Sequence, residues 1–149
     1  MKFAVDSMLG RLAKYLRFLG YDTLYAGNSM DDLNLIKICR EENRILLTRD
    51  KDLAKRYENA YYVKSADYRE QIRDVFKKFS LNLDNALTLC SVCNVKLEKV
   101  DKNYVKDKVP KFVYSSHDEF FICPNCGRIY WEGSHTENIM KMLEEIGKK

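Results

Sequence analysis

The chain has 149 residues, 46% of them hydrophobic, and 26 basic against 22 acidic side chains give a net charge of +4. That is apolar material for one domain plus a small appendage, and the mild positive balance admits a nucleic-acid partner without demanding one. No apolar run is long enough for a transmembrane helix or a signal peptide, and the absence of repeats or low-complexity tracts excludes long flexible linkers. Five cysteines, four of them in two C-x-x-C pairs, read as reduced thiolates on a metal rather than a disulfide framework. The expectation is a soluble, cytoplasmic protein.

Lys2 to Val5 is a β-prone run that ends on Asp6. Ser7 is placed to cap a helix reaching about Leu19, with Gly20 as its stop. Leu9, Leu12, Ala13, Leu16 and Leu19 form the apolar stripe, while Arg11, Lys14, Arg17 and Phe18 occupy another arc that reads as solvated. Asp22 to Ala26 is a second strand, followed by a Gly27-Asn28-Ser29 turn. Ser29 with Asp32 matches a capping box, and Leu33, Ile36 and Cys39 continue at helical spacing. Asp31 and Asp32 are explained at this level by the helix dipole, and Cys39 by burial as a small hydrophobe.

Ile45 to Leu47 is a short apolar run with helical patterns on both sides, the mark of a buried strand in a parallel sheet. It stops at Thr48 and is followed by Arg49, Asp50 and Asp52. Ligands of open α/β sheets sit beyond the carboxyl ends of the strands, so Asp50 and Asp52 fall where such a fold does its chemistry. Acids gathered at a strand end repel unless a cation holds them, and carboxylate oxygens suit Mg²⁺ or Mn²⁺. A short helix over Leu53–Tyr57, a strand over Ala60–Lys64 and a helix over Tyr68–Phe79 capped by Asp67 complete four strand–helix alternations. That pattern predicts a mainly parallel sheet with right-handed crossovers.

From Leu89 the composition changes. Cys90-x-x-Cys93 and Cys123-x-x-Cys126 bracket a Lys-rich segment (Lys96, Lys99, Lys102, Lys106, Lys108, Lys111). Two such pairs at this separation predict a tetrahedral Cys₄ zinc ribbon, closed and structural. The division expected is 1–86 for the α/β unit and 87–149 for the ribbon with its C-terminal helix. That helix runs over about Thr136–Ile146, with Ile139, Met142, Leu143 and Ile146 on one face. His135 reads as a helix-start residue, and Tyr130 and Trp131 as ribbon packing, with base stacking the second reading.

Several of these stretches together resemble one family. Phe3-x-Val5-Asp6-x-Met8-Leu9-Gly10-Arg11-Leu12-Ala13-x-x-Leu16-Arg17-x-Leu19-Gly20-Tyr21-Asp22 is followed by Leu46-x-Thr48-Arg49-Asp50. Then come Cys90-x-x-Cys93-Asn94, Val109-Pro110, Phe120 and Cys123-Pro124-x-Cys126-Gly127-Arg128-Ile129-Tyr130-Trp131-x-Gly133-Ser134-His135. The set is similar to the Mut-seven C-terminal ribonuclease family of PIN-like domains, over nearly the whole chain. The resemblance implies a three-layer α/β/α PIN-like domain with a C-terminal zinc ribbon, acting as a metal-dependent nuclease on RNA. By position it makes Asp6, Asp32, Asp50 and Asp52 the acids holding Mg²⁺ or Mn²⁺, with Asp31 as the neighbouring alternative to Asp32. Arg11, Lys14, Arg49 and Thr48 fall in the substrate-binding set, and Cys90, Cys93, Cys123 and Cys126 hold Zn²⁺. The partner implied is RNA, with the ribosome or its RNA precursors as candidates and no membrane. A non-catalytic RNA- or ribosome-binding module with a vestigial acid cluster is the competing expectation.

Overall fold

The structure, a computed structural model, describes residues 1–147. The side chains of residues 134–137 and 145–147 lie outside the described set, and with them the readings of His135 and Ile146. The first half forms β1 (Phe3–Val5), α1 (Gly10–Phe18), β2 (Thr23–Tyr25), α2 (Asp32–Glu42), β3 (Ile45–Thr48), α3 (Lys51–Arg56), β4 (Ala60–Tyr62) and α4 (Tyr68–Lys78). Its four strands pair in the order β2-β1-β3-β4, all parallel, as the alternating pattern requires.

Alternation within the two central strands sets the layers, because successive side chains point to opposite faces. Phe3, Val5 and Leu47 meet Leu12 and Leu16 of α1, Leu19 just after it, and Ile72, Val75 and Phe76 of α4. Ala4 and Leu46 face the other way onto Leu35, Ile36 and Cys39 of α2 and Leu53 of α3. The expected apolar stripes of α1 and α4 are the surfaces used. Cys39 is fully buried, and burial pushes its thiol up to about 11, which fits a packing role.

Two helix starts differ from expectation. Asp6 accepts the backbone N–H of Met8, which ties residues 6–8 into a turn and delays α1 until Gly10, so Ser7 caps nothing. At α2 the cap is Asp31, whose carboxylate accepts the N–H of Asn34, while the Ser29 hydroxyl donates to the carbonyl of Ala26. Asp67 caps α4 as expected, accepting from Arg69.

The second half builds β5 (Glu98–Val100), a 3₁₀ turn over Lys102–Val105, α5 (Lys111–Ser116), β6 (Phe120–Ile122) and β7 (Ile129–Tyr130), an antiparallel sheet in the order β5-β6-β7. α6 (Ser134–Gly147) follows and returns to the first unit, where Ile139 and Leu143 join the core beneath α1 and α4. At the end of α1, Gly20 has φ +93°, and a Cβ there would collide with the backbone of Asn85 in the connecting segment. Only glycine accepts both the left-handed conformation and that approach.

Candidate catalytic cavity and zinc knuckles

Asp6 follows β1 directly, and its position is fixed from two strands. Oδ1 accepts the N–H of Met8 at 2.9 Å, and Oδ2 accepts the Thr48 hydroxyl at 2.5 Å and the N–H of Arg49 at 2.9 Å. The Thr48 oxygen accepts in turn from the N–H of Asp50 at 2.9 Å. Thr48 is 0% exposed. Its hydroxyl is engaged on both sides, donating to Asp6 and accepting from Asp50.

Asp6 and Asp32 line one cavity of about 150 Å³, together with Ser7, Gly27 and Met30 at the ends of β1 and β2. The neighbouring Asp31 is occupied as the α2 cap at 2.8 Å from the Asn34 nitrogen, whereas Asp32 stands 3.7 Å from Arg56. Geometry therefore separates the two acids that spacing left side by side. Asp50 caps α3, its Oδ1 accepting from Asp52 at 2.9 Å and Leu53 at 3.1 Å, and Asp52 is exposed in the first turn. Neither of these lines the Asp6–Asp32 cavity.

The basic residues spread further. The Arg11 guanidinium lies 3.9 Å over the Tyr68 ring and borders a separate cavity of about 560 Å³ with Met8 and Gln71. Lys14 lines a cleft of about 860 Å³ against the ribbon. Arg49 donates through Nη2 to the carbonyl of Lys64 at 3.2 Å, and its Nε is buried without an acceptor among the described residues. An unpaired buried donor costs about 1–3 kcal/mol, a strain located at the end of β3.

The thiols are arranged differently. Among the described residues, Cys90, Cys93, Cys123 and Cys126 form the group of three or more ligating side chains whose donor atoms all lie within 4.8 Å of one another. The two turns repeat one geometry. Cys93 N–H approaches the Cys90 sulfur at 3.4 Å, and Cys126 N–H the Cys123 sulfur at 3.4 Å. The next residues close each turn with a left-handed backbone, Asn94 at φ 59° and Gly127 at φ 78°. Burial pushes the Cys90 thiol up, but hydrogen bonds from the Tyr130 hydroxyl at 3.1 Å and from backbone N–H groups outweigh it and bring it to about 7. Burial and the same contact hold the Tyr130 phenol at about 12. Tyr130 also accepts the N–H of Ser91, so its place in ribbon packing is to brace the first knuckle.

Sequence reasoning missed the seam that joins the knuckle to the sheet. Arg17, expected on a solvated arc, is 8% exposed. It donates to the carbonyl of Thr23 at 2.9 Å and to those of Ser91 at 3.1 Å and Val92 at 3.0 Å. Asn94 donates to Asp22 at 2.7 Å and accepts from the Thr23 N–H at 3.1 Å, and Asp22 accepts from buried Arg44 at 2.9 Å. The signal available was the position of Asn94 directly after the first C-x-x-C pair and of Arg17 within the α1 motif. Nothing in either stretch says that they meet.

The family model described as Mut7-C RNAse domain matches residues 1–143. The chain belongs to that family. Comparison with curated proteins and with solved structures finds no match. A Mut7-C RNAse domain is nuclease-like by family, with RNA as the substrate class this suggests. Its four gathered cysteines could hold a metal such as zinc. Among the described residues, no helix of this Mut7-C domain is long and apolar enough to cross a membrane.

Proposed function

We propose that this Mut7-C domain is a divalent-metal-dependent ribonuclease that hydrolyses RNA phosphodiester bonds at the Asp6–Asp32 cavity. The observation that carries the reading is that these two carboxylates, from different elements, line one small polar cavity at the strand ends of an RNase-family chain. The donor set fits Mg²⁺ or Mn²⁺, since both are hard oxygen ligands and no thiol or imidazole lines the cavity. A volume of about 150 Å³ also has room for a cation that keeps several waters. Bound there, such a cation supplies a lowered water pKa and neutralises charge on the leaving oxygen.

The chain's own residues do the rest. Thr48 and the Arg49 backbone fix Asp6, and Asp32 forms the facing wall. Asp50, with its Oδ2 outside the α3 cap, and Asp52 add negative charge at the next strand end for the cation's outer shell. Arg11, Lys14 and the Arg49 side chain serve flanking phosphates, which position the RNA without reading its sequence. The zinc ribbon has no reacting role, because four thiolates leave a tetrahedral ion no open position.

The test is cleavage of a labelled single-stranded RNA in Mn²⁺ or Mg²⁺ by wild type and Asp32→Asn, purified in parallel. Asp32 is exposed, so the variant should keep its fold, which circular dichroism checks. Loss of an outer-shell partner typically costs 10–100-fold, so loss of a ligand should cost at least about 100-fold. Equal cleavage by both proteins would remove Asp32 from the site. A non-catalytic RNA- or ribosome-binding module is the second reading. It is favoured by the acids not being gathered as the thiols are, and it predicts metal-insensitive RNA binding with no cleavage.

A further inference from the structure

A cleft of about 860 Å³ lies between α1 and the ribbon, and none of the acids of the proposed catalytic cavity lines it. Lys14 and Phe18 form the α1 wall, Arg128 and Trp131 the ribbon wall, Lys108 comes from the insertion, and Ile139 of α6 borders it. Its size is within the range that holds a small organic ligand. Lys14, Lys108 and Arg128 are all exposed, and none forms an ion pair among the described residues. No Asp or Glu appears among the described residues of the lining.

Three cations without an ion pair among the described residues, one of them Lys108 at 4.9 Å over the Tyr104 ring, make a specific demand beside the aromatic lining. An apolar ligand has no use for the cations, and a bare anion has none for the aromatic wall. An unpaired nucleobase between two phosphates uses both, through stacking and charge. We infer that this cleft is a base-binding subsite, taking one unpaired nucleobase of a single-stranded RNA against Phe18 and Trp131, with its flanking phosphates on Lys14, Lys108 and Arg128. The substrate class rests on the ribonuclease reading above. The zinc ribbon supplies one wall of the slot, and Arg17, which grips the Ser91 and Val92 carbonyls from α1, sets the spacing between the walls. Bases in a duplex are already stacked on one another and are not offered to such a slot.

Trp131 is the one tryptophan of the chain, so its fluorescence reports on the cleft directly. The zinc-loaded full chain, without added Mg²⁺ or Mn²⁺, is titrated with a short single-stranded oligoribonucleotide, an abasic oligomer of the same length and inorganic phosphate. The expected result is saturable quenching by the oligoribonucleotide, about tenfold or more weaker for the abasic oligomer. Phe18→Ala and Arg128→Gln should each weaken binding by about tenfold. Arg128 is exposed, so its variant keeps the test open if Phe18→Ala does not fold. Equal response to the abasic oligomer or to phosphate would overturn the base subsite in favour of an anion patch. Cleavage of RNA without quenching would also overturn it and leave the ribonuclease standing. Base-dependent quenching in a protein that cleaves nothing would support the subsite and sink the ribonuclease.

Discussion

The thiol cluster and the proposed carboxylate site of this Mut7-C domain are built in opposite ways. The four thiols stand within 4.8 Å of one another on two turns of matching geometry, with backbone donors already aimed at the sulfurs. The carboxylates are distributed. Asp6 is locked by three hydrogen bonds, Asp32 lines the same cavity, and Asp50 and Asp52 sit at the start of α3. A structural zinc site needs all four ligands and nothing else, so the backbone can pre-assemble it. A catalytic site must leave positions open for water and substrate, and like-charged groups drawn together without a cation would repel. The difference teaches that gathered donors mark the fold's support, and that the chemistry is to be sought where the donors stand apart.

The sharpest way to test that contrast is to remove the zinc. Structural zinc contributes apparent binding energies of about 10–16 kcal/mol in small domains, so Cys123→Ser or chelation should unfold the ribbon. Because Arg17 grips the first knuckle, the α/β unit should also melt at a lower temperature, read by thermal denaturation alongside zinc content. An unchanged melt would show the two parts to be independent. Next in size, Arg17→Met should cost about 3 kcal/mol or more in urea denaturation, since three backbone carbonyls lose a charged donor. A loss under about 0.5 kcal/mol would dissolve the seam as an explanation.

Thr48→Val should have a smaller effect on stability, about 1–3 kcal/mol, by leaving the Asp50 N–H without its acceptor and Asp6 without a donor. Cleavage should fall with it by about 10–100-fold, as for other residues that orient a ligand. Full activity in Thr48→Val would mean that Asp6 needs no such positioning. The mildest probe is pH. Burial pushes the Asp22 carboxyl up, but hydrogen bonds from Asn94 and Arg44, with the Arg44 charge, hold it below its ordinary value. Its contribution is therefore complete above the unfolded carboxylate value of about 3.9 and is lost as pH falls through the lower folded value. Ribbon docking, followed by limited proteolysis, should be flat from neutral pH to about 4 and loosen only below it. Loosening between pH 5 and 7 would point to other groups.

What could be read in the sequence was whatever a local pattern decides. The Ile45–Leu47 run became the buried β3, Asp67 became a cap, and the two C-x-x-C pairs became one four-thiol cluster. Ser7 and Ser29 failed as caps because a nearby carboxylate competed for the same backbone: Asp6 took the Met8 N–H, and Asp31 took that of Asn34. Arg17 was read as solvated because a helical wheel shows which face a residue occupies, not what covers that face. Its cover comes from carbonyls 74 and 75 residues away. The apolar face of α6 was legible for the same reason that its partner was not, and Ile139 and Leu143 turned out to complete the first core. At the site, the motif supplied Asp6 and Asp32, but only the fold places both on one cavity and commits Asp31 to a cap.

The most direct test of the central claim is a crystal structure of the zinc-loaded protein soaked in Mn²⁺, with anomalous difference maps collected on both sides of the manganese and zinc edges. The account predicts a manganese peak between the carboxylates of Asp6 and Asp32 and a zinc peak confined to the four cysteines. Zinc at the cysteines with no manganese at Asp6 and Asp32 under conditions that support cleavage would contradict it.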